Sequence, residues 1–390
     1  MGLRGGLKRL RWIISTVFVL NVVSTPVIFA QTVTEPPSVQ AKAAELIDAN
    51  SGQVLYAKNP NEELPMASVT KLMTLYLAVK AIEQHQISLR DLVPADETAY
   101  RIGGSQIWLE PGERLSVDQM LKAVAIGSAN DASYALGAFI GGSESAFVQK
   151  MNQTAHQLGM LHTHFVNPHG LPAAGHYTTA HDLALLGQQA VKMPLLLHYT
   201  SMWEDRSIRN GKGGTLWLVN HNRLLRTYPG CDGLKTGFTH EAGYCMVATA
   251  KRDNTRMIVA ILGAPTGKAR AQDAASLMSW GFQNFRTTSV VKAHEILGRV
   301  RIIRGTKPYV DAVVDHAVAI TQPSTAGRLQ SSKELPEEIA APVQKGQILG
   351  YLTVTSQKQV VRRIPIRASQ GVDKITMGQL TWRYLWKLFS

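Results

Sequence analysis

Strand-like runs stand at both ends of the chain's first 290 or so residues, with helical periodicity between them, and that order restricts the fold more than any other feature. "AAELIDANSGQVLYAKN" alternates about an Asn50-Ser51-Gly52 turn and predicts a β-hairpin. Apolar residues then recur at helical spacing through 68–82, 116–127, 131–140, 144–158 and 179–192. Strand-like runs follow at 215–219, 231–237, 244–251 and 256–263, and "KARAQDAASLMSWGFQNF" closes the region as an amphipathic helix. A βαβ repeat would interleave the two patterns. Strands grouped around helices predict a sheet covered by helices, an α+β class.

Near residue 288 the pattern changes. Short β-branched runs such as "VRIIRGT", "AVVDHAVAI", "QILGYLTVT" and "VVRRIPIRA" alternate with Pro and Gly turns and leave no room for a helix. The chain thus divides into a mixed domain over 31–288 and a small all-β domain over 289–372. The end, "MGQLTWRYLWKLFS", changes again: over 376–390 the apolar side chains cover most of a helical wheel, and Arg383 and Lys387 share the remaining stripe. Two tryptophans beside two cations suit a helix lying in a membrane interface, against the alternative of a terminal helix docked on the protein's own surface.

The first 30 residues read as an export signal. Arg4, Lys8, Arg9 and Arg11 form a basic start, "WIISTVFVLNVV" is too short for a comfortable span, and Ala30 is a small residue suited to cleavage; an uncleaved anchor is the competing reading. Without those four cations the formal charge falls from +13 to +9. A basic exported protein is expected to meet an anionic surface such as lipid headgroups. The charge is spread thinly, without the dense basic run of a nucleic-acid face, so no nucleic-acid partner is expected. Two cysteines, Cys231 and Cys245, cannot make a disulfide framework; a single bridge between adjacent strands or two buried free thiols both remain open.

Three short motifs carry the chemistry. In "MASVTKLMTL", Ser68 and Lys71 share one helical face, so an unprotonated amine there could take the serine's proton. A second pair with this spacing, Ser289 and Lys292, falls at the entrance of the β domain, where a strand would send them to opposite faces. "GSANDAS" sets Ser128 and Asn130 in a loop between two helical patterns, where alternate residues can face one cleft. "DGLKTGFT" sets Lys235, Thr236 and Gly237 at the end of a strand: a positive charge, a hydroxyl donor, and a residue that permits close backbone approach. The histidines at 156, 162, 164, 169, 176 and 181 lack the H-x-x-x-H or H-E-x-x-H spacing of a helical metal site and read as surface residues.

S-x-x-K, then S-x-N about 60 residues on, then K-T-G about 107 further, is the motif order of active-site-serine penicillin-recognising enzymes. With "NPHGL", "YTTAHDLA", "LKTGFTHEAGYC" and "APVQKGQILGYL", the chain from about residue 40 onward closely resembles the D-alanyl-D-alanine carboxypeptidases among the low-molecular-mass penicillin-binding proteins. The resemblance implies a penicillin-binding, transpeptidase-like (β-lactamase-like) catalytic domain: an antiparallel sheet flanked by helices. It implies Ser68 as nucleophile, Lys71 as its base, and Ser128 as proton relay. Asn130 would hold the substrate amide, Lys235 and Thr236 its terminal carboxylate, and Gly237 the close approach. The N–H groups of Ser68 and Phe238 would form the oxyanion hole. Implied partners are wall pentapeptides ending in D-Ala-D-Ala, β-lactams, and a membrane surface through the C-terminal helix on the outer face of the cytoplasmic membrane, in the periplasm; no cofactor is implied.

The rivals are a serine β-lactamase and a non-catalytic envelope protein that binds wall peptide or β-lactam. The best-known β-lactamases carry a deacylating glutamate in an E-x-x-x-N segment; here that place reads "THFVN", with His164 and Asn167 and no carboxylate. A binding protein relieved of catalysis has no need to keep every catalytic position filled.

Overall fold

A computed structural model describes residues 33–209 and 213–379; the expected export signal and residues 380–390 of the expected tail helix lie outside the described residues. The predicted hairpin forms from β1 (Ala43–Asp48) and β2 (Val54–Lys58). Every residue of β1 is buried, because β1 lies inside a five-stranded antiparallel sheet whose edge is β2. The other members are β3 (Cys231–Thr239), β4 (Gly243–Arg252) and β5 (Thr255–Ala264), in the spatial order β2-β1-β5-β4-β3. This leaves β3, which carries Lys235, Thr236 and Gly237, on the opposite edge.

Besides two short helices, Glu97–Arg101 and Leu224–Thr227, the described residues form α1 (Lys71–Glu83), α2 (Val117–Ala125), α3 (Asn130–Gly141), α4 (Glu144–Gln157), α5 (Ala180–Ala190), α6 (Pro194–Ser201) and α7 (Gly267–Asn284). Alternation along the buried strands separates two cores. Ala43, Val247, Ile258 and Leu262 pack with Leu72, Leu121 and Leu183 on one face. Leu46, Met246, Ala248 and Val259 meet Ala274, Leu277 and Met278 of α7 on the other. Fully burying each of the valine, leucine, isoleucine and methionine side chains contributes about 1.5–3 kcal/mol.

Two expectations change. Of the strand-like run at 215–219 only Leu218–Val219 is a strand, paired with Glu204–Asp205 in a separate ribbon, because Leu216 and Leu218 pack into the helical core rather than the sheet. The helical pattern predicted from residue 68 is also divided: Ala67–Thr70 is a 3₁₀ turn, and α1 begins only at Lys71. Helix α6 was not anticipated, although Pro194 at its first position is a recognised helix start.

From the end of α7 to residue 376 the regular structure is β only. A ribbon joins β6 (Phe285–Val291) and β9 (Val318–Pro323). The six-stranded sheet contains β7 (Ile296–Ile303), β8 (Tyr309–Val313), β10 (Leu329–Glu334), β11 (Glu338–Ala340), β12 (Ile348–Ser356) and β13 (Gln359–Ala368), in the order β10-β12-β13-β8-β7-β11. Val300, Val310, Ile320, Val354 and Ile366 form its own core. The β1–β2 turn rests on the ribbon: Thr287 Oγ1 donates to Asp48 Oδ2 at 2.7 Å, and the Ser51 and Thr321 hydroxyls meet at 3.0 Å. Ser289 lies in β6 and Lys292 just beyond it, so this second S-x-x-K pair has no helical face to share.

Candidate active site

Residues three apart eclipse in a 3₁₀ turn, so the turn over Ala67–Thr70 stacks Ser68 on Lys71 more closely than an α-helix would. Lys71 Nζ lies 2.9 Å from Ser68 Oγ, 2.6 Å from Asn130 Oδ1 and 2.5 Å from the His169 carbonyl, with the lysine wholly buried. The Asn130 amide can face only this way, since its Nδ2 donates to the Gly103 carbonyl at 2.8 Å. Two of the three neighbours of Nζ are therefore pure acceptors. A neutral amine has two N–H bonds and one lone pair. Its N–H bonds go to Asn130 and His169, and the lone pair is left facing the Ser68 hydroxyl. Burial, and then the charge of Lys235, hold the Lys71 amine well below its ordinary range, against an opposing pull from Asp131.

The "NPHGL" segment forms the bed on which this turn sits. Thr74 Oγ1 on α1 and Ser133 Oγ on α3 both donate to the Pro168 carbonyl, at 2.6 and 2.8 Å. Asn167 Oδ1 accepts from the Gly170 N–H at 2.6 Å and closes the bend. Gly170, at φ +86°, lies so close to the Ala67 carbonyl that any side chain would collide with it. His176 Nδ1 accepts from the Val166 N–H at 3.0 Å, which makes Nε2 the protonated nitrogen, donating to Thr70 Oγ1 at 2.7 Å. Thr70 Oγ1 in turn donates to the Ala67 carbonyl at 2.8 Å. Burial first, then neighbouring positive charge, pushes His176 down to about 4 and His169 down to about 3. These two histidines are thus neutral internal struts, not the surface residues expected; His156, His162 and His164 are exposed as expected.

Ser128 and Asn130 enter the same cleft from the start of α3. Asn130 is not an N-cap: Ala129 holds that position and Asn130 is the first helical residue. Ser128 has φ +58°, a left-handed conformation uncommon outside glycine, and its hydroxyl accepts from Lys235 Nζ at 2.9 Å. The next residue, Asp131, is wholly buried and accepts from the N–H groups of Ile107, Leu109 and Ala132, which fastens the loop beside Asn130.

The edge strand β3 supplies the opposite wall. A Cβ on Gly237 would lie 2.8 Å from Ser68 N and 2.9 Å from Val69 N, so only glycine lets β3 lie against the turn that carries Ser68. Lys235 is buried; that burial, and then Arg270, pushes its amine down to about 7. Arg270 reaches over from α7, and its Nη1 donates to the carbonyls of Gly237 and Cys245, each at 3.3 Å. Its guanidinium lies 5.7 Å from the Tyr244 ring centroid, and Tyr244 stacks with the exposed ring of Phe238 at 4.3 Å. Arg270 carries no local sequence signal, being one cation on an amphipathic helix. Neither do the His169 carbonyl or the Asp131 carboxylate, whose work depends on tertiary placement. The cysteines are free: the β3–β4 register sets Gly237, not Cys231, opposite Cys245, and burial pushes both thiols up to about 11.

The seven residues named from the motifs, and Phe238 beside them, therefore lie on the 3₁₀ turn with the start of α1 and on the two walls that meet there. The sequence profile of the D-alanyl-D-alanine carboxypeptidases matches residues 30–266, and that of the penicillin-binding protein 5 C-terminal domain matches residues 285–374. The chain is 39% identical over 337 residues to the D-alanyl-D-alanine carboxypeptidase DacF of Bacillus subtilis, covering 86% of each protein. It is 34% identical to DacC of Escherichia coli over 372 residues, covering 92% of this chain and 91% of that one. Among solved structures, penicillin-binding protein 5 from Haemophilus influenzae superposes with a TM-score of 0.77 at 31% identity, over 87% of this chain and all of that one. Penicillin-binding protein D2 from Listeria monocytogenes, in its ampicillin-bound form, superposes with a TM-score of 0.56 at 34% identity, over 63% of this chain and all of that one. With the motif residues gathered in one cleft and both domains matched, this chain belongs to the D-alanyl-D-alanine carboxypeptidase family.

Proposed function

We propose that the chain removes the terminal D-alanine from wall pentapeptides through an ester on Ser68. The observation that carries this reading is the surroundings of Lys71 Nζ: in the neutral form favoured by burial, with both N–H bonds committed to Asn130 and His169, the lone pair faces Ser68 Oγ. Lys71 takes the Ser68 proton as Oγ attacks the penultimate D-alanine carbonyl. The N–H groups of Ser68 and Phe238 receive the oxyanion, a contribution worth about 2.7–4 kcal/mol per donor in comparable sites. Ser128, held by Lys235, relays to the departing nitrogen the proton that Lys71 took, the C–N bond breaks, and D-alanine leaves. Water then attacks the ester and returns the hydroxyl to Ser68.

Asn130 holds the substrate amide. Lys235, Thr236 and, from α7, Arg270 hold the terminal carboxylate, which explains a demand for a free C-terminal D-amino acid. A β-lactam acylates Ser68 by the same attack, and its ring-opened fragment stays tethered as the leaving group. The sequence of residues 1–30 supports export, and that of 376–390 supports peripheral attachment to a membrane face; among the described residues no helix is long and apolar enough to cross a membrane. The direct test is D-alanine release from a pentapeptide ending in D-Ala-D-Ala. The wild-type chain releases it and Ser68→Ala does not; release by Ser68→Ala at the wild-type rate would sink the assignment.

A further inference from the structure

A groove of ≈ 1190 Å³ opens beyond the carboxylate clamp, and Arg270 lines it as well as the clamp. Its walls are the start of α7, the segment 217–227 and the start of β4. This volume exceeds the roughly 300–1,000 Å³ of ordinary ligand pockets and far exceeds what a departing alanine needs. The lining is of one sign. Arg223, Lys268 and Arg270 contribute cations, and no aspartate or glutamate lines the groove. Among the described residues none of these three cations makes an ion pair, although Lys122, Arg256, Arg299 and Arg363 elsewhere all do. Arg223 and Lys268 are exposed, at the head of a short helix and in the first turn of α7, so both are held on regular structure. Trp217 adds a 62% exposed ring at the rim, with its Nε1 donating to Glu204.

We propose that this groove is a second anion subsite, which takes the carboxylates of an acidic peptide lying past the scissile bond. Three unpaired cations in a concavity focus a positive field onto whatever enters it, and the aromatic rim covers the apolar part of a peptide chain. The inference rests on the active-site reading above, since it is the clamp that points the substrate's C-terminal end at the groove. The acidic peptide can come from either of two sources: the leaving side of a cross-link, or a neighbouring stem peptide on the same polymer.

The test uses the full chain and the double variant Arg223→Gln/Lys268→Gln. One substrate is diacetyl-L-lysyl-D-alanyl-D-alanine, whose single carboxylate belongs to the clamp. The other is a soluble cross-linked peptide dimer bearing several carboxylates, with its products separated by chromatography and mass. The double variant is expected to raise KM for the dimer about tenfold at unchanged kcat, and to flatten the rise of that KM with added salt. Kinetics on the diacetylated tripeptide and the rate of benzylpenicillin acylation are expected to stay at wild-type values. The charge-keeping variant Arg223→Lys/Lys268→Arg is expected to retain the wild-type KM. If the effect falls on scission of the cross-link, the leaving side occupies the groove; if it falls on release of terminal D-alanine from the dimer, a neighbouring stem does. An unchanged KM for the dimer, or an equal rise for both substrates, overturns the proposal. Failure of the active-site reading itself would be seen separately, as absence of penicillin acylation in the wild-type chain.

Discussion

In the proposed mechanism Lys71 is the residue on which the chemistry turns, because a buried ammonium in the same place would be a donor and not a base. Two acceptors and one hydroxyl around Nζ suit the neutral amine, and burial together with Lys235 favours that form. Lys71→Arg sets a permanent positive charge in place of the neutral amine and removes the lone pair. Acylation by benzylpenicillin is expected to fall by roughly 10²–10⁴-fold in that variant, the usual range for losing a general base, as read from the rate of covalent labelling. In the wild type the acylation rate should fall as pH drops through the lowered Lys71 range, because protonation consumes the lone pair. Lys235 works with the opposite sign. In the empty site its amine is pushed down to about 7, and only its protonated form attracts a carboxylate. A bound carboxylate raises that value, so KM should climb with pH above about 7 while kcat changes less. Removing the neighbouring cation by Arg270→Gln should move the onset of that climb to higher pH and raise KM at all pH values; an unchanged KM profile would contradict the clamp.

At the scale of elements, the turn that carries Ser68 is held from below by a segment that meets it through backbone carbonyls and a glycine. Gly170→Ala would set a Cβ against the Ala67 carbonyl at φ +86°, and a loss of roughly 2–4 kcal/mol is expected by thermal or urea unfolding. His176 makes the same bed sensitive to acid. Its folded value of about 4 lies below the ordinary 6.5, so between those limits the unfolded chain binds a proton that the folded chain refuses. Stability is therefore complete above pH 6.5, is lost as pH falls toward about 4, and changes no further from this group below that, with roughly 3 kcal/mol at stake. His176→Leu should weaken the fold at neutral pH and flatten this slope; an unaltered slope would assign the acid sensitivity elsewhere. The triplets around Ser68, Ser128 and Lys235 were legible because each is local: a turn, a loop, a strand end. The hairpin, the buried strands and the amphipathic closing helix were legible for the same reason, since periodicity reports which face is covered. The bed was not. "NPHGL" acts through backbone carbonyls and a missing Cβ, and His169 and His176 look in sequence like any histidines of a polar loop. Arg270 escaped too, because its target lies on a strand some 30 residues earlier in the chain. The run at 215–219 misled because a short apolar stretch reads alike whether it joins a sheet or caps a helical core.

For the whole molecule, the β1–β2 turn rests its Asp48 and Ser51 on the ribbon of the all-β domain, so the five-stranded sheet and that domain share hydrogen bonds and not merely a linker. Beyond the all-β domain, the sequence over 376–390 should bind anionic lipid. The full chain is expected to sediment with anionic vesicles, and a chain ending at residue 375 is expected to stay in solution with its penicillin acylation rate intact; co-sedimentation of the shortened chain would contradict that role for the tail. The measurement that tests the central claim most directly is mass spectrometry of the chain after brief exposure to benzylpenicillin, at several pH values. The account predicts a mass gain of one intact drug, mapped to the peptide that holds Ser68, formed more slowly as pH falls and absent from Ser68→Ala. An adduct on any other peptide, or a drug consumed without an adduct at the earliest times, would contradict it.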